Sequence, residues 1–426
     1  MKLMPYWLDT TPLFASAAEG GPQGSADVVV VGAGFTGLSA ALALAKKGAR
    51  VVVLEAGRVA SAASGRNGGM CNNGFAQDYY GLSSLLGRER ANLLYRAFDA
   101  GVDKVEAIVR EEGIDCHFQR VGKLKLAAKP AHYDKIARSQ DLLAREVDPD
   151  TRMVPLSQMR EEIGSDRYFG GMLFLKSASM HMGQFGQGMA QAAVRHGAII
   201  HENNPVTAIR RVEGQVHEVF TPHGTIRAGQ VLLATGTSQI GPLGWFRRRI
   251  VPVGAYVIAT EPLPVELLDQ LTPNRRNTTD TRNFVNYFRV SPDNRLLFGG
   301  RARFSGSSNP AADAKSGAIL RKSMVALFPQ LADTRIDYCW GGMVDMTRDR
   351  LPRAGEKDGL FYSMGYSGHG THMATYMGAV IAQVLDGRAD LNPWRDFDWP
   401  AIPGYFGKPW FLPFVGAYYR YQDLVK

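Results

Sequence analysis

The chain has 426 residues, more than a single hydrophobic core usually organises, so we expect two domains. An apolar fraction of 45% and a charged fraction of 21% are typical of soluble globular proteins, and they exclude disorder, collagen and coiled coil as descriptions of the whole chain. The net charge is +9, but basic residues form only short clusters such as Arg247–Arg249. This charge favours an anionic small-molecule substrate and argues against nucleic acid as a partner.

The cysteines and the N-terminus bear on the compartment. Cys71, Cys116 and Cys339 lie far apart without C-x-x-C spacing, so we expect neither a disulfide framework nor a bound metal. Residues 1–14 lack the apolar segment of a signal peptide, and no run of about 18 apolar residues could span a bilayer. We therefore expect a cytoplasmic protein without a transmembrane segment.

The first regular elements form a strand–helix–strand unit. Residues 27–31 are a continuous, mostly β-branched run, residues 38–47 an Ala/Leu-rich helix, and residues 50–55 a second buried strand. Such a unit begins a parallel sheet with helices on its faces.

Later segments indicate a second sheet. In residues 122–127, Lys123 and Lys125 alternate with Leu124 and Leu126, which predicts a half-exposed antiparallel strand. The other predicted elements are strands at 198–201, 230–235, 256–260 and 295–300, helices at 182–196 and 371–385, and an irregular aromatic tail at 392–414. Nucleotide-type elements recur early, in the middle and late, so we expect two interleaved domains.

A glycine motif joins the first strand to the first helix. In G-x-G-x-x-G, Gly32 makes the tight turn, Gly34 lets pyrophosphate approach the backbone, and Gly37 lets the helix pack on the strand. The helix N-terminus offers N–H donors to phosphate. Glu55 ends the second strand, where an acid binds ribose hydroxyls and disfavours the 2′-phosphate of NADP. The motif predicts a dinucleotide but does not separate FAD from NAD.

Four further motifs resemble the flavoprotein superfamily of glycine oxidase, sarcosine oxidase and D-amino-acid oxidase. They are Ala63-Ser64-Gly65-Arg66-Asn67-Gly68-Gly69, Leu233-Ala234-Thr235-Gly236, Trp340-Gly341-Gly342 with Thr347, Asp349 and Pro352, and Gly365-Tyr366-Ser367-Gly368-His369-Gly370. The early Tyr6-Trp7-Leu8 and the first of these loops are most similar to the γ-glutamylputrescine oxidase branch, with an iminodiacetate oxidase-like member as the other candidate.

The resemblance implies an α/β fold, in which a Rossmann-like FAD-binding domain is interleaved with an antiparallel-sheet α+β substrate domain. The predicted boundaries are an N-terminal extension at 1–24, the FAD-binding domain at 25–110, 171–245 and 336–390, the substrate domain at 111–170 and 246–335, and a C-terminal tail at 391–426. The implied FAD-binding residues are Gly32, Gly34, Phe35, Thr36, Gly37, Glu55, Ala56, Ser64, Gly65, Arg66, Asn67, Gly68, Gly69, Val206, Thr235, Gly236, Gly342, Gly365, Ser367, Gly368, His369, Gly370 and Thr371.

Three positions depart from the family pattern. Val344 stands where amino-acid oxidases carry the arginine that holds the substrate carboxylate, and His372 where sarcosine oxidases carry a lysine. Gly342 stands where sarcosine oxidases attach the flavin through a cysteine, so we expect non-covalent FAD. The candidate substrate residues are Tyr287, Arg289, Arg301, Arg303 and His372.

The expected activity is FAD-dependent oxidation of a secondary amine that carries carboxylates, such as iminodiacetate or γ-glutamylputrescine. A hydride passes from the carbon next to nitrogen to the flavin, and the imine hydrolyses to an aldehyde and an amine. Oxygen is the expected acceptor, giving hydrogen peroxide, and no acid–base residue is assigned. Two alternatives are a dehydrogenase that lies on a membrane surface through its aromatic tail and a non-catalytic flavin-binding subunit; a homo-oligomer is left open.

Overall fold

The computed structural model describes residues 1–214, 216–238, 240–300, 306 and 309–425. The strands are β1 Ser25–Val31, β2 Val51–Leu54, β3 Met70–Cys71, β4 Lys123–Leu126, β5 Arg152–Val154, β6 Gly171–Phe174, β7 Ala178–Ser179, β8 Ile199–His201, β9 Ala208–Glu213, β10 Val216–Thr221, β11 Gly224–Leu233, β12 Val251–Thr260, β13 Asn277–Asp280, β14 Asn286–Val290, β15 Leu296–Gly300, β16 Ile336–Met346, β17 Arg353–Lys357 and β18 Leu360–Met364. The helices are α1 Tyr6–Asp9, α2 Phe35–Ala45, α3 Tyr79–Leu86, α4 Arg88–Glu112, α5 Pro130–Glu146, α6 Met182–Arg195, α7 Gly244–Arg247, α8 Val265–Leu271, α9 Pro310–Leu327, α10 Gly370–Leu385 and α11 Leu412–Val425.

The first sheet contains the predicted strand–helix–strand unit. Its order is β17-β18-β11-β1-β2-β8, and the central strands β18, β11, β1, β2 and β8 run parallel. The added strands β9, β10 and β17 pair antiparallel at its margins. Because β1 and β2 are apolar on both faces, helices must cover them, and α2, α6 and α10 join the same core. The predicted α/β class is confirmed.

The second sheet is almost entirely antiparallel. Its order is β16-β12-β15-β14-β13-β4-β6-β5, and only β13 and β4 pair in parallel. Two of its strands, β6 and β16, fall within segments that the predicted boundaries give to the FAD-binding domain. They belong here because β6 pairs with β4 and β16 with β12 along most of its length. The domain boundaries themselves stay a prediction.

The prediction that β4 is half exposed was wrong. Leu124 and Leu126 lie in the core cluster on one face of the sheet, as expected. Lys123 on the other face is only 6% exposed, because β4 lies between two strands and its neighbour Phe174 belongs to the core shared with the first sheet. A strand inside a sheet that is covered on both sides loses most of its solvent face, and on β4 only Lys125 stays partly exposed.

Both ends of the chain are built into the fold. Trp7 is fully buried, and the backbone of Lys2 bridges to β16 by donating to Asp337 O at 2.6 Å. The tail was predicted to be irregular to residue 414, but α11 begins at Leu412, because a proline in the first turn is compatible with a helix. Among the described residues, no helix is long and apolar enough to cross a bilayer.

Candidate active site

The carboxyl ends of the parallel strands form one edge of the first sheet. In register, Val31 lies beside Leu54 and Leu233, and Leu233 lies beside Tyr362. Since parallel strands end at the same edge, the loops that follow them meet there, and this edge is where doubly wound sheets bind ligands. The predicted FAD segments that follow these ends are 32–37, 55–56, 235–236 and 365–371.

The glycine-rich turn leaves the N-terminus of α2 open. Gly32 has a φ of 106°, which side chains other than glycine rarely adopt. A Cβ on Gly37 would lie 1.9 Å from the carbonyl oxygen of Gly32, so only glycine allows the helix to approach the strand. Gly34 is the N-cap, and no side chain caps it, while the Phe35 amide donates to Ser64 Oγ at 3.0 Å. The turn therefore presents backbone to a ligand.

Glu55 lies beside this turn. Its carboxylate accepts hydrogen bonds from the amides of Ala33 at 2.7 Å and Gly57 at 2.8 Å. Burial raises the pKa of Glu55, and these two N–H bonds oppose the rise. Of the other two predicted residues here, Ala56 is exposed and Val206 is buried in the core below the edge.

The loop at 63–69 is held by side chains from distant segments. Arg66 Nη1 donates to Gly341 O at 3.0 Å, and Trp7 Nε1 donates to Asn67 O at 2.7 Å. Asn67 Oδ1 accepts from the Gly69 amide at 2.9 Å, which closes the turn. The N-terminal segment thus stabilises a loop that the resemblance places against the flavin.

The closing motif is organised by an acid that sequence analysis did not select. Asp345 Oδ2 accepts from the Gly365 amide at 2.7 Å, and its main-chain oxygen accepts from Ser367 at 3.2 Å. Ser367, with a φ of 54°, also receives the Thr347 amide on its Oγ at 3.1 Å. Burial raises the pKa of Asp345 to about 6 despite these backbone donors. The family pattern specifies no acid at this position, so the sequence carried no signal for it.

Tyr366 connects the closing motif to the glycine-rich turn. Its hydroxyl lies 2.8 Å from both Thr36 Oγ1 and Ser363 Oγ. Motifs 330 residues apart therefore share one buried hydrogen-bond network.

Two histidines lie where α10 begins. His369 precedes Gly370, the first residue of the helix, and the rings of His369 and His372 are 6.1 Å apart, with Phe98 5.8 and 5.6 Å from them. Thr371 lies between them and is buried. Burial lowers the pKa of His369 to about 3 and that of His372 well below its ordinary value. Both are neutral at pH 7, so His372 does not replace the missing lysine as a cation.

Buried lysines face these histidines and were not predicted as site residues. Lys123 Nζ donates to Asn73 O at 2.6 Å and lies 3.7 Å from the centre of the Phe174 ring. Burial lowers the pKa of Lys123 to about 7 and also lowers the pKa of Lys125. Both positive charges contribute to the low pKa of His369, which places them near the closing motif. Their alternation with leucine indicates a buried polar face only when the order of the strands in the second sheet is known.

The predicted substrate residues divide into three groups. Tyr287 is partly exposed, and a Cβ on Gly68 would lie 2.9 Å from its ring. Arg289 is 3% exposed, and its Nη1 donates to Met180 O at 2.9 Å and to Gly69 O. Those contacts support a role for Arg289 in holding the 63–69 loop in place. The other two predicted arginines, Arg301 and Arg303, lie outside the described residues.

Val344 is partly exposed on β16, opposite Val253, and Gly342 lies opposite Ala255. The two positions share one face of the strand, and Val344 presents an apolar group where the amino-acid oxidases have an arginine. Arg66 of the 63–69 loop lies against Gly342, but its Nη1 donates to Gly341 O at 3.0 Å, and Asp345 on β16 is an acid bonded to backbone.

The residues at the sheet edge fit a dinucleotide such as FAD. The uncapped N-terminus of α2 can receive phosphate, and Glu55 can accept from ribose. Thr235 Oγ1 is buried without a partner among the described residues, next to Gly236 at a φ of 52°, as expected where a ligand supplies the partner. Across the described chain, no group of three His, Cys, Asp or Glu side chains is placed to hold a metal ion.

Comparison with known proteins agrees with this geometry. The chain is 32% identical to γ-glutamylputrescine oxidoreductase of Escherichia coli K12 over 404 residues, 93% of this chain and 92% of that protein. It is 32% identical to the probable oxidoreductase OrdL of Haemophilus influenzae over 388 residues, 90% and 87% of the two chains. Glycine oxidase of Geobacillus kaustophilus shares the fold, with a TM-score of 0.70 at 21% identity over 90% of this chain and 98% of that one. The model of the FAD-dependent oxidoreductase (DAO) family matches residues 27–384, and the chain therefore belongs to this family.

Proposed function

We propose that this FAD-dependent oxidoreductase oxidises an amine whose carboxylate lies away from the reacting carbon. The observation that carries the proposal is Val344, an apolar residue where amino-acid oxidases hold the substrate carboxylate next to the amine. The similarity to γ-glutamylputrescine oxidoreductase supports the same substrate class. The two candidates are a γ-glutamylated diamine, which reacts at a primary amine and carries its carboxylate at the far end, and an N-carboxymethyl amine such as iminodiacetate, which reacts at a secondary amine. In iminodiacetate one carboxylate is on the reacting carbon, and only the second lies away from it.

The proposed reaction needs little acid–base chemistry from the protein. When bound, FAD accepts the hydride from the carbon next to nitrogen. The neutral amine supplies the electron pair that forms the imine, and water then releases the aldehyde and the amine or ammonia. His369 and His372 are neutral, and the positive charges near them disfavour a cationic amine, which favours binding of the neutral amine. Oxygen is the proposed acceptor, with hydrogen peroxide as product.

The chain's own groups suggest how FAD is held. The N-terminus of α2 would receive the pyrophosphate, Glu55 the adenosine ribose, and the N-terminus of α10 the pyrimidine edge, where negative charge collects on reduction. The other residues named from the resemblance stay proposed FAD contacts.

We propose that the flavin is not covalently attached. Gly342 offers no thiol, and the nearby Cys339 is buried with its Sγ donating to Asp313 O at 3.2 Å. Cys71 is also buried, and burial raises its pKa, which makes its thiol a poor nucleophile.

An anaerobic flavin-reduction screen tests the substrate class. Purified holoprotein is mixed with γ-glutamylputrescine, iminodiacetate, glycine and D-alanine, and bleaching of the flavin absorbance is followed. We expect one of the first two to bleach it fastest. Bleaching by glycine or D-alanine at an equal or higher rate would overturn the proposal. Oxygen uptake with stoichiometric peroxide then tests the oxidase assignment.

A membrane-surface dehydrogenase is the second candidate, and one observation favours it. Trp410, Phe414 and Tyr418 follow at helical spacing along the last segment and are 65%, 70% and 57% exposed. Such an aromatic stripe is typical of helices that lie in a bilayer interface. Reduction of a quinone analogue without oxygen uptake, together with recovery in a membrane fraction, would support it. Recovery in the soluble fraction with peroxide release supports the predicted cytoplasmic oxidase.

A further inference from the structure

The proposed substrate carries a carboxylate, and of the predicted substrate residues that the structure describes, neither Arg289 nor His372 offers a free cation to bind it. Arg289 bonds to main-chain oxygens, and His372 is neutral at pH 7. A carboxylate taken out of water without a cation or donors is expensive, so a group that binds it must exist if the proposed function holds.

The strand register places a lysine on the same face as Tyr287. Lys125 on β4 lies opposite Thr279 on β13, and Thr279 lies opposite Tyr287 on β14. Side chains in one cross-strand row project to the same side of a sheet. Adjacent strands are about 4.8 Å apart, so the Cα of Lys125 lies about 10 Å from that of Tyr287. The row continues to Gly299 on β15, and Tyr287 packs against Gly68 of the 63–69 loop.

Lys125 is not committed to another partner. It is partly exposed, and among the described residues its ammonium makes no hydrogen bond or ion pair. The acid that most favours its charged form is Asp78, which is paired with Lys135 at 3.2 Å and caps α3 through the Gly81 amide. Lys123 differs, since its ammonium is bonded to Asn73 O.

The neighbouring groups favour an anion at this point. Burial, and then the positive charge of Lys125, lower the pKa of Lys123, while burial and the positive charge of Lys135 lower the pKa of Lys125. An added carboxylate would relieve the repulsion between these positive charges.

We propose that Lys125 binds the remote carboxylate of the amine substrate, an inference that rests on the proposed function. The position of Lys125 distinguishes between the two candidate classes of substrate. In iminodiacetate, only two bonds separate the amine nitrogen from the carboxylate carbon of the second arm, whereas Lys125 lies two strands beyond Tyr287. A long amine whose carboxylate is at the far end, such as a γ-glutamylated diamine, fits this separation.

Two synthetic amines isolate the carboxylate. N-glutarylputrescine carries a terminal carboxylate, and N-pentanoylputrescine has a methyl group in its place, with the same reacting end and chain length. The variants are Lys125→Met, which keeps the length and removes the charge, Lys125→Arg, which keeps the charge, and Lys135→Met as a nearby control. The readouts are kcat/KM on both amines and the Kd of glutarate from its perturbation of the flavin absorbance.

We expect the wild-type preference for N-glutarylputrescine to fall roughly 10- to 100-fold in Lys125→Met. Glutarate binding should weaken in parallel, Lys125→Arg should recover part of both, and Lys135→Met should keep both. If Lys125→Met keeps the wild-type preference and glutarate Kd, the inference is overturned while the proposed function stands. If wild-type protein oxidises neither amine, or shows no preference between them, the proposed function fails for long amines with a carboxylate at the far end.

Discussion

The assignment of Glu55 to the adenosine ribose can be tested by removing its carboxylate. In Glu55→Ala, the amides of Ala33 and Gly57 lose acceptors that now lie at 2.7 and 2.8 Å. The Ala33 amide is buried, so its loss alone should lower the free energy of unfolding by about 1–3 kcal/mol. A ribose bonded to the same carboxylate would lose about 1.5–3 kcal/mol of binding, which weakens FAD affinity roughly 10- to 150-fold.

Two measurements separate the loss of protein stability from the loss of FAD affinity. Thermal unfolding of the apoprotein reports the loss of the amide bonds, and quenching of flavin fluorescence on titration gives the Kd of FAD. Glu55→Gln, which retains one acceptor oxygen, should lie between wild type and Glu55→Ala in both.

Asp27→Ala is a matched control, because Asp27 likewise accepts a main-chain bond, from Arg50 at 2.8 Å, but at the opposite ends of the same strands. It should leave the FAD Kd unchanged. An FAD Kd in Glu55→Ala within twofold of wild type would refute the ribose assignment, whatever happens to stability.

Other changes have expected outcomes that follow from the same contacts. Arg289→Ala removes the donor to Met180 O and one of the two donors to Gly69 O and should lower the free energy of unfolding by about 2–4 kcal/mol, with reduced FAD content; urea unfolding that matches wild type would contradict this. Val344→Arg should raise the kcat/KM for glycine relative to N-glutarylputrescine about tenfold or more, and an unchanged ratio would show that this position does not face the substrate. Acid precipitation should leave the yellow flavin in the supernatant, whereas colour in the pellet would mean a covalent bond. Burial depresses the pKa of His372, so the unfolded chain takes up its proton first, and stability is lost as pH falls below about 6.5; His372→Leu should reduce the loss of unfolding free energy between pH 7 and 5.5 by about 1.2 kcal/mol, measured by urea unfolding at both pH values.

The FAD-binding half of the site was predictable because its signals are local. The turn at Gly32–Gly37 and the acid at Glu55 need only the strand before and the helix after, and those elements follow from apolar runs and glycine stops within about 30 residues. The closing motif at Gly365–Gly370 was recognised in the same way, from contiguous residues. Its support by Asp345 was not, because that contact depends on how β16 of the second sheet packs beside the motif, and its hydrogen bond to Thr36 joins residues 330 positions apart.

Only the tertiary structure decided which face of each strand is covered and which residues cover it. Lys123 and Lys125 have the alternation of a solvent face, and an isolated strand would expose them. The sheet order instead places β4 between β13 and β6, with the histidines of α10 on the lysine side. Arg289 has the sequence context of a substrate ligand, yet its neighbours in space are main-chain oxygens. Side-chain alternation determines that two faces exist, while long-range pairing determines which face meets solvent, core or substrate.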